Sequence, residues 1–286
     1  MIPSAFQYER ATSLDDALAK LQATNGAGTL IAGGHSLVPL MKLRLSEPTV
    51  LIDIARIPAL AGIRESDGTI EIGALTTHHD VANSSLLRER CPAVAETAAL
   101  IGDPQVRNRG TLGGSLAHAD PSADYPAVML AVDAEFHLKG PNGWRVVKAR
   151  DFFQDLFTVD VAADEILVKV LFVPVRAAAY AKLHQRASQF AIVGVAAALE
   201  VSDGVIQAAR IGLTGAGSHA TRLTTVEAAL AGQHLSAATI TAAASRAGVG
   251  LTDLTSDIHA SDTYRRAMIA VFTERALEAA RARVDA

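Results

Sequence analysis

Two glycine-paired segments hold the residues of this sequence that could do chemistry. The first is AGGHS (Ala32–Ser36), between the apolar run Thr29–Ile31 and a helix-like stretch, Leu37–Leu45. Glycine lets an anion approach backbone N–H groups that a Cβ would screen. Successive N–H groups in a tight turn form a nest for phosphate, and a following helix adds the positive end of its dipole. Ser36 offers one further donor. The second segment is RNRGTLGGSLAHADPSADYP (Arg107–Pro126), where Thr111 and Ser115 flank Gly113 and Gly114. Two such loops, about 80 residues apart in the chain, can clasp one diphosphate from two sides. The carboxylate of Asp124 could then take sugar hydroxyls. Either loop alone could be a turn that needs glycine only for its dihedrals; the pairing is the more specific signal.

Other chemistries find little support. Neither loop is GxGxxG and no GxxxxGKS/T occurs, so the two familiar nucleotide loops fail on pattern. A third cluster, Gly212–Arg222, lacks a surrounding strand–turn–helix–strand repeat and reads as a structural turn. No Ser–His–Asp set and no HExxH spacing is present. The single cysteine, Cys91, cannot form an internal disulfide, which favours a reducing cytoplasm. Nor can it hold an iron–sulfur cluster, which needs about four thiolates. Preceding Pro92, it reads as a small apolar residue at a helix boundary. His78 and His79 follow GALTT at a helix start, where a cap or a solvated face is expected rather than a metal site. His118 lies beside the second loop. Arg107 and Arg109 bracket that loop, either countering phosphate charge or pairing with acids such as Asp103. Arg265, Arg266, Arg275, Arg281 and Arg283 read as the solvated or partner-facing side of a C-terminal helix.

The elements that must position these loops follow from periodicity. Ser13 with Asp15 and Asp16 predicts a helix start, and the first ~55 residues read as strand–helix–strand–helix–strand. Asp67-Gly68 lies between two alternating runs and predicts a hairpin; GPNG (Gly140–Gly143) predicts another. Helical pieces are expected near 77–100 and a strand over 164–174, ended by a proline. The texture changes near Val175: three antiparallel strands follow, with Asp203-Gly204 as a turn, then alanine-rich helices from Thr224. The chain of 286 residues is half apolar and 20% charged, long enough for two or three subdomains. Its net charge of −4, without a basic block, gives no sign of a nucleic-acid partner. No apolar run approaches the ~18 residues of a membrane span, and MIPSAFQYER lacks the layout of a signal peptide.

The two loops, with IEIGALTTHHDV, IGDPQVRNRGTLGGSLAHADPSADYPAVMLAV and DEILVKVLFVP, resemble the FAD-binding medium subunits of molybdenum hydroxylases. That family includes the medium subunit of aerobic carbon monoxide dehydrogenase and the FAD domain of xanthine dehydrogenase. The resemblance implies an α+β fold. A bipartite, PCMH-type FAD-binding α/β domain would span 1–175, with subdomains at about 1–57 and 58–175. A three-stranded antiparallel sheet with a helical bundle would span 176–286. By motif match, Leu30, Ile31, Ala32, Gly33, Gly34, His35, Ser36 and Leu37 would wrap the FAD diphosphate together with Thr111, Leu112, Gly113, Gly114 and Ser115. Asp124 would bind the ribityl or adenosine side, Ile101 would pack near the isoalloxazine, and Leu167 would line the adenine or ring region. Lys182 falls where the family has a flavin-proximal basic residue. Phe190 falls where carbon monoxide dehydrogenase relatives carry a tyrosine near the ring, so a hydrogen bond from that hydroxyl is lost here. The resemblance implies non-covalent FAD; covalent attachment at His35, as in some flavin oxidases with a related domain, is the alternative.

The implied activity is electron transfer. A molybdenum-containing large subunit would oxidise the substrate, and two 2Fe–2S clusters on an iron–sulfur small subunit would pass electrons to FAD on this chain. FAD would deliver them to an external acceptor, in a cytoplasmic dimer of heterotrimers. The alternatives are a self-contained FAD-dependent oxidase and a flavin-less scaffold whose glycine loops only shape turns.

Overall fold

The structure, a computed structural model, describes residues 2–284. The chain enters on β1 (Gln7–Arg10) and turns into α1 (Leu14–Ala23), where Ser13 caps the helix by accepting from the Asp16 amide. Asp15 and Asp16 in the first turn and Lys20 in the last complement the helix dipole. Then come β2 (Gly28–Ile31), α2 (Leu37–Leu43) and β3 (Val50–Asp53). The three strands form a parallel sheet ordered β1-β3-β2, as the expected strand–helix alternation requires.

The second unit is an antiparallel sheet ordered β4-β5-β10-β6-β7. Its first hairpin joins β4 (Ile63–Ser66) to β5 (Thr69–Gly73) through Asp67 and Gly68, both at positive φ (52° and 74°), the geometry of a type I′ turn. Between β5 and the next strand lie six helices: α3 (His78–Asn83), α4 (Ser85–Arg90), α5 (Pro92–Ala99), α6 (Pro104–Arg107), α7 (Leu112–His118) and α8 (Tyr125–Ala131). Cys91 is fully buried between α4 and α5, and burial pushes its thiol up to about 11. The second hairpin pairs β6 (Glu135–Gly140) with β7 (Gly143–Lys148) around Pro141-Asn142. After α9 (Ala149–Phe152), β8 (Phe153–Asp155) and β9 (Thr158–Val159), strand β10 (Ile166–Phe172) returns to the middle of the sheet.

The remaining chain forms a third sheet, β11 (Ala178–His184), β12 (Ala191–Ser202), β13 (Val205–Thr214) and β14 (Thr221–Arg222), followed by α10 (Thr224–Leu230), α11 (Ala237–Ala244) and α12 (Asp262–Arg281). The sheet has four strands, not three, because Thr221 and Arg222, the end of the third glycine cluster, pair back onto Leu213 and Gly212. That cluster is structural. Gly215 has φ 81°, and its amide donates to the Pro121 carbonyl at 2.8 Å. A Cβ on Gly212 would overlap the Ala127 carbonyl of α8, so glycine lets sheet and helix meet backbone to backbone.

Alternate residues of β12 divide between two cores. Val193, Val195, Ala197 and Leu199 pack with Ile269 and Phe272 of α12, whereas Ala196 and Ala198 join the core that holds α5 and α8. Both faces of this strand are covered, which accounts for its unbroken apolar run. The C-terminal arginines are only partly the solvated set expected. Arg265 is buried and donates to the carbonyls of Ile192 (2.6 Å) and Gly215 (2.5 Å) and to Asp257 (2.6 Å). Arg266 binds the carbonyls of Gly248 and Leu251, and Arg283 ties α12 to Ala178 and Glu96. Arg265 thereby satisfies strand-end carbonyls that the fold would otherwise bury unpaired.

Candidate cofactor site

The first glycine loop leaves β2 and turns sharply at Gly34, whose φ of 76° disfavours any side chain. The Val38 amide closes the turn on the Gly34 carbonyl at 2.9 Å. Among the described residues, no hydrogen bond within the protein takes up the five successive amides from Gly33 to Leu37. The Ser36 hydroxyl makes no capping bond either. Backbone amides that go unpaired in a fold are places for water or a ligand. Since α2 has only seven residues, these oriented N–H groups rather than a long dipole provide the attraction for an anion.

The second loop is built differently. Leu112 N–H donates to Thr76 O (3.0 Å), Gly113 N–H to Ala74 O (2.8 Å), Gly114 N–H to Thr111 Oγ1 (3.1 Å) and Ser115 N–H to Thr111 O (3.0 Å). These four amides are therefore engaged, and the loop presents its surface and the Ser115 hydroxyl. Packing within the protein gives a further reason for glycine here. A Cβ on Gly33 would overlap the Arg109 carbonyl of the second loop. A Cβ on Gly113 would stand 2.5 Å from the Ala74 Cβ. Glycine at these two places lets the loops and β5 pack together. At Gly114 only Thr111 Oγ1 lies close, 2.7 Å from where a Cβ would be.

The two loops line one cavity of about 450 Å³. Of the residues expected at the site, Leu30, Ile31, Ala32, Gly33, Gly34, His35, Ser36, Leu37, Ile101, Thr111, Gly113, Gly114, Ser115, Asp124, Leu167 and Phe190 line it. Leu112 and Lys182 do not: Leu112 is fully buried in the core beneath the wall, and Lys182 lies behind Asp124. Leu37, Ile54, Leu75, Ile101, Ile166 and Phe190 make much of the wall apolar, as a flat aromatic ring system requires.

His78 belongs to this wall, which local spacing did not reveal. It is 5% exposed, contrary to the solvated position expected. A long-range bridge between Thr77 and Thr111 brings it to the second loop, where its amide donates to Gly110 O at 2.9 Å. Its ring lies 5.3 Å from that of Tyr125, and its buried Nδ1 has no partner. Burial, and secondarily the charges of His35 and Arg107, pull its pKa down to about 4, so the imidazole is neutral near pH 7. His118 also lines the cavity, with its ring 5.1 Å from that of Phe157, and burial lowers its pKa. No group of three or more His, Cys, Asp or Glu able to hold a metal occurs among the described residues.

Arg107 donates to the carbonyls of Ile101 (3.0 Å) and Gly102 (2.9 Å), fixing the turn that carries Ile101. Asp103 instead caps α6 through the Val106 amide at 2.8 Å. Asp124 is buried, which raises its pKa. The Lys182 ammonium at 2.9 Å and the Tyr180 hydroxyl at 2.5 Å oppose that rise.

A run of free amides beside an apolar cleft, built from a small parallel unit and an antiparallel sheet, makes this cavity the candidate dinucleotide site, of the flavoprotein kind. Residues 4–176 match the family described as the FAD binding domain in molybdopterin dehydrogenase, and residues 178–280 match the CO dehydrogenase flavoprotein C-terminal domain. The chain belongs to this family of FAD-binding medium subunits of molybdenum hydroxylases. It is 40% identical to the carbon monoxide dehydrogenase medium chain of Hydrogenophaga pseudoflava, over 99% of both chains. It is 39% identical to the 6-hydroxypseudooxynicotine dehydrogenase complex subunit alpha of Paenarthrobacter nicotinovorans, over 97% of this chain and 95% of the relative. A solved structure of the Hydrogenophaga pseudoflava carbon monoxide dehydrogenase, in a form lacking the Mo-pyranopterin moiety, superposes with a TM-score of 0.94 at 41% identity, covering 99% of each chain.

Proposed function

We propose that this chain binds FAD non-covalently between the two glycine loops and passes electrons from partner-borne 2Fe–2S clusters to an external acceptor. The observation that carries the reading is the run of five unengaged amides, Gly33 to Leu37, at the edge of an apolar cavity. These amides and the Ser36 hydroxyl receive the diphosphate. Thr111 and the Gly113-Gly114 pair form the facing wall, and Ser115 adds a hydroxyl. Asp124 accepts from sugar hydroxyls, Ile101 and Phe190 pack against the ring, and Leu167 lines the other part of the cleft. When bound, FAD supplies the exchange between one-electron and two-electron chemistry; the chain supplies binding, orientation and exclusion of water. His78 presents a neutral imidazole to the cavity wall and adds no charge there near pH 7.

The partners in this reading are an iron–sulfur small subunit and a molybdenum-containing large subunit, assembled as a dimer of heterotrimers. A free, buried Cys91 fits a reducing cytoplasm. Among the described residues no helix is long and apolar enough to cross a membrane. The chain purified with its native partners is expected to carry one FAD, and to bring down molybdenum and a cysteine-rich chain. Failure of the isolated chain to bind added FAD would sink the reading. Substrate oxidation by the isolated chain would establish the self-contained oxidase instead.

A further inference from the structure

Lys182 sits behind the cavity wall, and its ammonium meets oxygens from three separate segments. It donates to Leu100 O (2.8 Å), to Asp124 Oδ2 (2.9 Å) and Oδ1 (3.1 Å), and to Gln189 O (2.7 Å). An ammonium has three N–H donors, so none remains for a further ligand. Each segment carries part of the wall: Ile101 follows Leu100, Asp124 lines the cavity itself, and Phe190 follows Gln189. Tyr180, two residues along β11 and so on the same face, donates to Asp124 Oδ1 at 2.5 Å. The Lys182 and Asp124 side chains are 2% and 5% exposed.

We propose that Lys182 is a positioning residue rather than a flavin ligand: with Tyr180 it clamps the Leu100 turn, Asp124 and the Gln189 turn into one wall. The C-terminal sheet thereby completes a cavity whose two glycine loops belong to the first half of the chain and whose Gln189 turn it supplies itself. This deepens the FAD reading and rests on it. The clamp has a physical signature. Removing one member of a buried ion pair strands the other charge, whereas removing both is far less disruptive.

The test is a double-mutant cycle on the full-length chain, with FAD affinity by fluorescence titration and hydrogen exchange on the flavin-free protein. Lys182→Met is expected to weaken FAD binding about tenfold or more and to speed exchange over residues 99–101 and 188–191. In an Asp124→Asn background the same change should cost clearly less affinity, because only the tethers to Leu100 and Gln189 are then lost. Lys182→Arg, which keeps the charge, should recover part of the exchange protection. Equal affinity losses in both backgrounds, or weakened binding with unchanged exchange in those segments, would overturn the clamp. Should the wild type bind no FAD, the functional reading fails, while the exchange pattern still judges the clamp.

Discussion

His78 makes stability depend on pH in a defined window. Its folded pKa is about 4 against an ordinary 6.5, so the unfolded imidazole takes up a proton that the folded one refuses. The contribution is complete above pH 6.5 and is lost as the pH falls toward 4, up to about 3 kcal/mol. Urea unfolding from pH 7 to pH 4 should show this slope, and His78→Gln should flatten it; an unchanged slope would assign it to other groups. The glycines separate two kinds of constraint. Gly33→Ala forces a methyl against the Arg109 carbonyl, so it should cost about 1–3 kcal/mol in denaturant unfolding and also weaken FAD binding. Ser36→Ala removes a hydroxyl with no partner in the protein, so stability should stay within about 0.5 kcal/mol while FAD affinity drops.

Among the elements, α2 ends on Arg44 at φ 58°, in the left-handed region that glycine occupies without cost. Arg44→Gly should therefore stabilise the chain by about 1 kcal/mol, read as a rise in the denaturation midpoint. Much of this level was legible in the sequence. The Ser13 cap, the Asp67-Gly68 hairpin and the strand–helix alternation of the first unit are written in neighbouring residues, and local spacing determines them. The glycine loops were legible as a pair because each carries its own motif. Three features were not. His78 reaches the cavity through a bridge to Thr111, Lys182 is engaged by carbonyls from distant turns, and β14 pairs only after the chain has reversed. Each depends on contacts that no periodicity encodes. Phe190 illustrates the middle case: its place at the cavity wall was inferable, but its 47% exposure follows from the turn that carries it.

At the scale of the molecule, Ala178, Tyr180, Ala196 and Ala198 of the C-terminal sheet lie in the same core as α5, α7 and α8. Two halves that share a core should unfold together. The sole tryptophan, Trp144 on β7, reports on the first half alone, whereas far-ultraviolet circular dichroism reports on both. Their thermal transitions are expected to coincide; separated midpoints would show that the halves are independent. Cys91 has a practical counterpart at this scale. The chain's one thiol is sealed in the interior and its pKa lies far above neutrality, so alkylating reagents find no nucleophile on the native protein. A cysteine introduced anywhere on the outside would then be the single attachment point for a spin label or dye, without first engineering the natural one away.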